Sequence, residues 1–483
     1  MTTDIPLFAL LNSETDYMLS GDGTIRITGF SIDSRGTLPG DLFFALPGRK
    51  TDGHHYIKEA LDRGAAAVVH ASPFREQLGT IPCVRVPRPR ETLSRMSSRF
   101  YGFPSQRIFL IGVTGTNGKT TTSYLIFQIL RSLGVSAGLI SGYYCGTHSQ
   151  LSAGMNQLST PESFERHRQI RSFADSGCTH AVAELTSHAL SAETARAQDL
   201  HLSRCVFTAM GRDHLDYHRD LETYYQCKLS MCRLSPSGRI VMDRDNPLLP
   251  MIEDPRRLSV LRRDICIISD ERSSLVLKSA DKTLQIIHDL EASFLRENVM
   301  LAAAAVWDLI PPGLKQLDLR EIPPVPGRGE RFSLGSDRHI TVDYAHNPLG
   351  FSAVLSRPVQ GRTIAIFGAA GERDRGKRQE MAAAADTLCD MIILTDEDPF
   401  DEDPLAILRD LRSGITQKQP GKTLFIIPSR PAAFSFACSL MNPGDELFLL
   451  GKGHETALRS QGREIPWSDL KAASSLANPT HRV

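Results

Sequence analysis

The sequence predicts an α/β protein divided into three domains, and three observations carry that expectation. The chain has 483 residues, whereas single hydrophobic cores stop growing near roughly 250–300 residues. A Gly-rich run at 114–121 stands between an apolar stretch and an amphipathic helical pattern, which is the opening βα unit of a nucleotide-binding domain. The final third alternates short apolar runs with helical patterns, as a Rossmann-like sheet does.

In chain order, the strand-like runs 41–45, 66–70 and 83–86 and the helical segments 56–63 and 90–101 build a small N-terminal α/β domain, 1–106. Residues 101–105, with Gly102 and Pro104, read as a linker. A central domain, 107–327, starts at the strand and Gly-rich turn and continues through apolar runs at 180–185, 205–210 and 239–243 to an alanine-rich helix at 298–309. The Pro-rich stretch 322–331 marks the second junction. A C-terminal domain, 328–483, then holds strand candidates at 339–346, 363–369, 391–396, 423–428 and 446–451.

Composition excludes several function classes. Lys plus Arg and Asp plus Glu both number 55, so net charge gives no reason to expect a nucleic-acid or anionic-membrane partner. The N-terminus lacks a basic region before its apolar stretch, and no apolar run approaches the ~20 residues a bilayer span needs; a cytoplasmic monomer is expected. Nine cysteines without CxxC spacing argue for reduced thiols rather than a zinc site or a disulfide framework.

In Thr114-Gly115-Thr116-Asn117-Gly118-Lys119-Thr120-Thr121, small residues let successive backbone N–H groups close on phosphate oxygens at a helix N-terminus. Lys119 supplies a mobile cation for the β- and γ-phosphates, and the Thr120 hydroxyl suits magnesium. Val113 stands where the commonest form of this loop has Gly. Such a loop alone does not separate a ligase from a kinase or a nucleotide switch.

The run from Thr114 to Thr121 resembles the ATP loop of the Mur ligase and folylpolyglutamate synthetase superfamily, and further motifs extend the likeness over nearly the whole chain. Glu184-Leu-Thr186-Ser187-His188 resembles the family's Glu-Val-Ser-Ser-His, which implies a metal-holding carboxylate at Glu184 and substrate contacts at Thr186 and Ser187. Arg196 takes the place of an arginine that grips the peptide carboxylate, two residues further along than usual. In Gly211-Arg-Asp-His214-Leu-Asp-Tyr-His218, His214 resembles a second magnesium ligand, and Lys228 aligns with the lysine that relatives carry as a carbamate, N6-carboxylysine. A bare lysine beside two cations is repelled, which gives the modification its physical reason.

Asn298 and the Asp343-Tyr-Ala-His346-Asn-Pro segment resemble the adenine and ribose contacts, with Leu295 replacing one Asn of the family pattern. Ile32, Ser34, Arg49, Lys50 and Thr51, together with Ser159 and Thr160, resemble the elements that hold the uridine diphosphate sugar in the tripeptide-forming branch. Gly327 to Arg331 resembles the hinge on which the C-terminal domain closes. Arg373, the run Glu397-Asp398-Pro399-Phe400, Gly451 and Glu455 fall where relatives contact the incoming amino acid.

The resemblance implies a cytoplasmic ligase that uses ATP and Mg2+ to activate the D-glutamate carboxylate of a UDP-N-acetylmuramoyl-dipeptide as an acyl phosphate, which the amine of a free amino acid then attacks. Relatives that add meso-diaminopimelate carry Asp-Asn-Pro-Arg, whose Arg pairs with the distal carboxylate. Phe400 removes that partner here, and the acidic run 396–403 is expected to favour a distal ammonium, as in L-lysine or L-ornithine. A folylpolyglutamate synthetase-like ligase, another Mur branch and a P-loop switch remain the alternatives at this stage.

Overall fold

The computed structural model describes residues 4–12, 14–48, 51–71, 80–154, 158–271 and 273–477. Arg49 and Lys50 lie outside the described residues.

Three large sheets follow one another along the chain. The first has the spatial order Met18–Ser20, Cys83–Arg85, Ala67–His70, Asp41–Phe44, Gly29–Ser31; its inner pairs are parallel and only Met18–Ser20 runs antiparallel. Asp41–Phe44 and Ala67–His70 are buried at every position, as parallel strands covered on both faces must be. Helix Pro89–Phe100 begins with Pro at its first turn, where the missing N–H costs nothing. It stops before Gly102, whose φ of 71° belongs to the left-handed region that ends helices.

The central sheet has eight strands in the order Gln150–Ala153, Tyr144–Thr147, Ala137–Ile140, His180–Glu184, Phe109–Thr114, Arg204–Phe207, Arg239–Asp243, Leu258–Leu261. From Ala137–Ile140 onward all pairs are parallel. Phe109–Thr114 lies in the middle with its neighbours in register, Glu184 opposite Val113 and Phe207 opposite Thr114. The carboxyl ends of three strands therefore open at one place, where ligands bind in open α/β sheets.

A sheet that the sequence reading did not anticipate follows. Cys266–Asp270, Ser274–Lys278 and Thr283–Ile287 form an antiparallel meander, and Gln316–Asp318 joins in parallel. Leu275, Leu277, Leu284 and Ile286 point from it into the central core. The alanine-rich helix also differs from expectation: it spans Ser293–Ala305, and Trp307–Leu309 is a separate 3-10 turn. Small side chains explain its close approach to helix Lys119–Ser132, since Ala302 to Ala305 are all buried in the shared core.

The C-terminal sheet runs Arg328–Gly335, Arg338–Asp343, Glu446–Leu450, Thr363–Phe367, Met391–Leu394, Leu424–Ile426, parallel except for its first pair. The first strand candidate is cut short at Asp343, because Asn347 turns the chain into helix Pro348–Leu355 by accepting from Gly350 N. Among the described residues no helix is long and apolar enough to cross a membrane.

Candidate active site

The phosphate loop closes between strand Phe109–Thr114 and helix Lys119–Ser132, and two glycines are required by their surroundings. A Cβ on Gly115 would lie 1.9 Å from Thr208 Oγ1, and one on Gly118 would lie 2.4 Å from Asn298 Oδ1. Gly118 caps the helix with a φ of 85°, which only glycine adopts without strain. Thr116 N donates to Ala209 O at 2.7 Å and Thr208 Oγ1 donates to Asn117 O at 2.6 Å, so the neighbouring strand end fixes the loop. Lys119 Nζ donates to Thr116 O at 2.9 Å, curled over the loop, and burial lowers its pKa. Asn298, with its amide oxygen accepting from Thr122 Oγ1 at 3.2 Å, lies against the same helix.

Next to the loop, Glu184 is 2% exposed. Its Oε2 accepts from Thr120 Oγ1 at 2.9 Å and Gly142 N at 2.8 Å. Thr160 Oγ1 donates to the Glu184 carbonyl at 3.0 Å and accepts from Thr186 N at 3.0 Å, tying the segment of Ser159 and Thr160 to the strand end. Ser187 Oγ is buried without a hydrogen-bond partner.

Lys228 is 1% exposed; its Nζ donates to Gly115 O at 2.7 Å and sits 4.6 Å from the centre of the Tyr224 ring. Burial, and after it the charge of Lys119, pushes the Lys228 pKa well below its usual value. Tyr224, one helical turn earlier, meets Thr116 Oγ1 at 2.9 Å, so the Lys228 helix and the phosphate loop are joined through one phenol.

His214 has a φ of 56° and its ring packs edge-on to His188 at 4.8 Å. Burial lowers its pKa well below the usual range, which keeps the imidazole neutral and able to bind a metal. The preceding Asp213, 2% exposed, accepts from Lys377 Nζ at 3.0 Å and Asn347 Nδ2 at 3.2 Å, with His346 Nε2 at 3.4 Å. Burial would raise the Asp213 pKa, but the charge of Lys377, with help from His214 and His346, takes it well below the carboxylate range. The side-chain amides of Asn117 and Asn347 face each other at 2.8 and 3.0 Å. Residues of the C-terminal domain thus close directly on the phosphate loop.

A slot of about 370 Å³ opens beside this loop, lined by Thr121, Tyr124, Leu295, Val299, Pro324 and Arg328 among others. Its apolar walls suit a nucleobase. Asp343 lies nearby, its carboxyl raised to about 6 by burial against the opposing pull of Arg328.

The amino-acid end is built from paired charges. Lys452 Nζ donates to both Asp398 oxygens at 2.8 Å. Glu402 accepts from Arg378 at 2.8 Å through each oxygen, and Asp403 caps helix Pro404–Ser413 and pairs with Arg409 at 3.3 Å. The expectation that the whole acidic run attracts an ammonium is narrowed by these pairs: half of its six carboxylates, Asp398, Glu402 and Asp403, are already held by cations of the protein. Glu397 differs. It is 6% exposed, its Oε2 has no hydrogen-bond partner, and burial raises its pKa. Gly451 is shaped to it, since a Cβ there would lie 2.2 Å from Glu397 Oε2. Phe400, with a φ of 51°, has the Arg373 guanidinium 5.9 Å over its ring, and Glu455 accepts from Tyr344 Oη at 3.2 Å. Pro399 continues this segment into Phe400.

Two other groups are engaged internally. Arg196 Nε donates to Glu162 at 2.9 Å, and Arg90 reaches the other oxygen of Glu162 at 3.3 Å. In the N-terminal domain Ser34 Oγ donates to Glu59 at 2.8 Å, Thr51 Oγ1 donates to Tyr56 Oη at 3.1 Å, and Ile32 is half-buried beside them in sequence. Sequence reasoning gave Tyr224 no role, although its i−4 position relative to Lys228 signalled it, and quoted Asp213 and Asn347 only as parts of their motifs. Lys377 stands in the run Gly371 to Arg378 that was expected to contact the amino acid, whereas the structure pairs it with Asp213, 164 residues away.

The donor set can be tested for a divalent cation. Among the described residues no three His, Cys, Asp or Glu side chains converge on a metal. The touching Thr120 hydroxyl and Glu184 carboxylate are nevertheless hard oxygen donors, and they suit magnesium, which takes few protein ligands and relies on substrate phosphates for the rest.

A P-loop with a buried carboxylate and a desolvated lysine at its mouth, closed from a third domain, defines a multidomain nucleotide-dependent enzyme. The Mur ligase family catalytic domain is matched at residues 26–101, the Mur ligase middle domain at 113–306, and the glutamate ligase domain of Mur ligases at 327–453. The UDP-N-acetylmuramyl-tripeptide synthetase of Roseiflexus sp. (strain RS-1) is 35% identical, over 93% of this chain and 94% of its own. The UDP-N-acetylmuramoyl-L-alanyl-D-glutamate–2,6-diaminopimelate ligase of Aquifex aeolicus is 34% identical, again over 93% and 94%. A solved structure of a ligase of the latter name aligns over 100% of both chains at 26% identity with a TM-score of 0.60. The chain belongs to the Mur ligase family of ATP-dependent, amide-bond-forming enzymes.

Proposed function

We propose that this ligase adds a diamino acid to the D-glutamate of UDP-N-acetylmuramoyl-L-alanyl-D-glutamate in peptidoglycan precursor synthesis, acting in the cytoplasm as a monomer with domains at 1–106, 107–327 and 328–483. The observation that carries the reading is the Lys119, Thr120, Glu184 and Lys228 cluster at the phosphate loop, joined to C-terminal residues through Asn117–Asn347 and Asp213–Lys377. The activities after which its relatives are named point to the acyl substrate.

Loop N–H groups and Lys119 hold the β- and γ-phosphates of ATP and stabilise charge as the substrate carboxylate attacks the γ-phosphorus. Thr120, Glu184, His214 and Lys228 as its carbamate would hold Mg2+, which would supply Lewis-acid neutralisation of the phosphoryl oxygens. The carbamate arises when the neutral Lys228 amine adds to CO2 and releases a proton. The Asp213–Lys377 and Asn117–Asn347 contacts keep the C-terminal domain against the loop, so that water is excluded from the acyl phosphate. The amine of the third substrate attacks the acyl carbon, and inorganic phosphate leaves. Slot residues with Asn298, Asp343 and His346 hold the adenosine, while Ile32, Ser34, Arg49, Lys50, Thr51, Ser159, Thr160, Thr186, Ser187 and Arg196 hold the UDP-linked substrate.

For the amino acid we favour L-lysine or L-ornithine over meso-diaminopimelate. Phe400 supplies no cation for a distal carboxylate, and the unpartnered Glu397 oxygen is a buried acceptor for a distal ammonium. Arg373 and Glu455, with Asp398, Pro399 and Gly451 shaping the wall, hold the α-carboxylate and α-amine. Phosphate release with ATP, Mg2+ and the UDP-linked dipeptide tests both levels. Release dependent on L-lysine or L-ornithine is expected; release with meso-diaminopimelate alone overturns the amino-acid reading and keeps the ligase.

A further inference from the structure

Two thiols meet behind the helix that carries Lys228. Cys205, on strand Arg204–Phe207, is 0% exposed, and its Sγ lies 3.6 Å from the Met231 carbonyl. Cys232 lies in the 3-10 turn Ser230–Leu234, half-buried and packed against the core cluster that contains Cys205. Cys232 directly follows Met231, whose carbonyl the Cys205 sulfur touches, so the two thiols pack side by side in one core cluster. They sit in different environments. Cys232 is nearer to solvent and has the Arg257 guanidinium close by, with contact to Cys205 and then Arg257 lowering its pKa against burial. The same contact, together with burial, holds Cys205 as the protonated thiol. A partly exposed thiol beside a cation with a second thiol in reach is the arrangement that yields sulfenic acid and then a disulfide.

We propose that Cys205 and Cys232 form a modification site, a thiol pair that hydroperoxides oxidise reversibly to a disulfide. The Cys232 thiolate attacks the peroxide O–O bond and becomes a sulfenic acid, while the peroxide is reduced to water or an alcohol. The Cys205 thiol then attacks the Cys232 sulfur; an S–S bond forms, the S–O bond breaks, and water leaves with the thiol proton. Two electrons pass from the two sulfurs to one peroxide. An S–S bond of about 2.05 Å is shorter than any thiol–thiol contact, so Cys232 must draw inward. Its turn continues helix Leu221–Leu229, which carries Tyr224 and Lys228, so strain at Cys232 is expected to reach the contacts these residues make with the phosphate loop. That consequence for activity rests on the function proposed above; the disulfide itself does not.

Treatment of the reduced full-length protein with stoichiometric hydrogen peroxide, thiol blocking and non-reducing peptide mass spectrometry tests the site. A Cys205–Cys232 linked peptide is expected, with phosphate release falling at least several-fold and returning on addition of dithiothreitol. Cys232→Ser and Cys205→Ala should each abolish the linked peptide and the peroxide sensitivity, while Cys266→Ser, at the exposed cysteine, should change neither. Absence of the linked peptide in the unsubstituted protein, or oxidation confined to Cys266, overturns the site. A linked peptide with undiminished phosphate release overturns its coupling to Lys228, and a linked peptide in a protein without ligase activity overturns the function and leaves the thiol pair standing.

Discussion

The phosphate end and the amino-acid end of this molecule use charge in opposite ways. Around the phosphate loop, Lys119 and Lys228 are bonded only to backbone carbonyls, Thr116 O and Gly115 O, and both are displaced by burial toward neutrality. At 396–403 three carboxylates, Asp398, Glu402 and Asp403, are held by Lys452, Arg378 with Arg375, and Arg409. The first region leaves its two amines unpaired by carboxylates, Lys119 for an anionic ligand and Lys228 for the proposed carbamate. The second ties Asp398, Glu402 and Asp403 into its own architecture and leaves the buried Glu397 Oε2 without a hydrogen-bond partner.

The largest effect that would break this contrast is at Lys228. Lys228→Ala removes the carbamate and should lower phosphate release by about 10²–10³-fold, the scale of losing one preorganised group at developing charge. Partial recovery of rate with added short-chain carboxylates is the expected signature of a lost anion; no recovery at any concentration, in a folded variant, would count against the carbamate. Next is the interdomain pair. Lys377→Met leaves Asp213 charged, 2% exposed and beside His214, and breaking a buried pair from one side costs roughly 3–5 kcal/mol. A clear fall in kcat is expected, with the thermal transition moving downward; unchanged kcat would show that the contact plays no part in closure.

The same contrast explains what was legible in the sequence. The phosphate loop and the three-sheet order follow from local patterns, because a strand, a Gly-rich turn and a helix dictate their own geometry, whereas Glu184 and Lys228 were legible only through the resemblance to the family. The charge state of the acidic run was not legible: Asp398 is paired with a residue 54 positions away and Glu402 with one 24 positions away. Arg196 shows the same blindness, since nothing local announces that Glu162, 34 residues earlier, holds it. The meander at 266–287 did carry an alternating pattern, Leu275 and Leu277 then Leu284 and Ile286, and sequence reading passed over it.

A smaller effect sharpens the comparison at Glu397. Glu397→Gln keeps the shape of the wall beside Gly451 and removes the acid, so KM for a basic amino acid should rise about tenfold, equivalent to ~1.4 kcal/mol, with kcat little altered. An equal loss for every amino acid offered would mean that Glu397 supports the pocket without reading the distal amine.

The smallest effect concerns Glu402, whose bonds from Arg378 hold its pKa down to about 2 despite desolvation. An unperturbed glutamate titrates near ~4.3, so the folded state binds the proton more weakly than the unfolded one. The stabilisation is therefore complete above the unfolded value and is lost as pH falls from about 4.3 toward 2. In Glu402→Gln the amide oxygen keeps one guanidinium contact, the amide nitrogen cannot accept the other, and the titrating group is gone. Denaturation followed across this range should then show a shallower pH dependence than the unsubstituted protein, with little difference between Gln and Glu in activity at neutral pH. An identical acid profile in the two proteins would place the acid sensitivity elsewhere, first at Asp445, whose bonds from Arg362 also hold its pKa down.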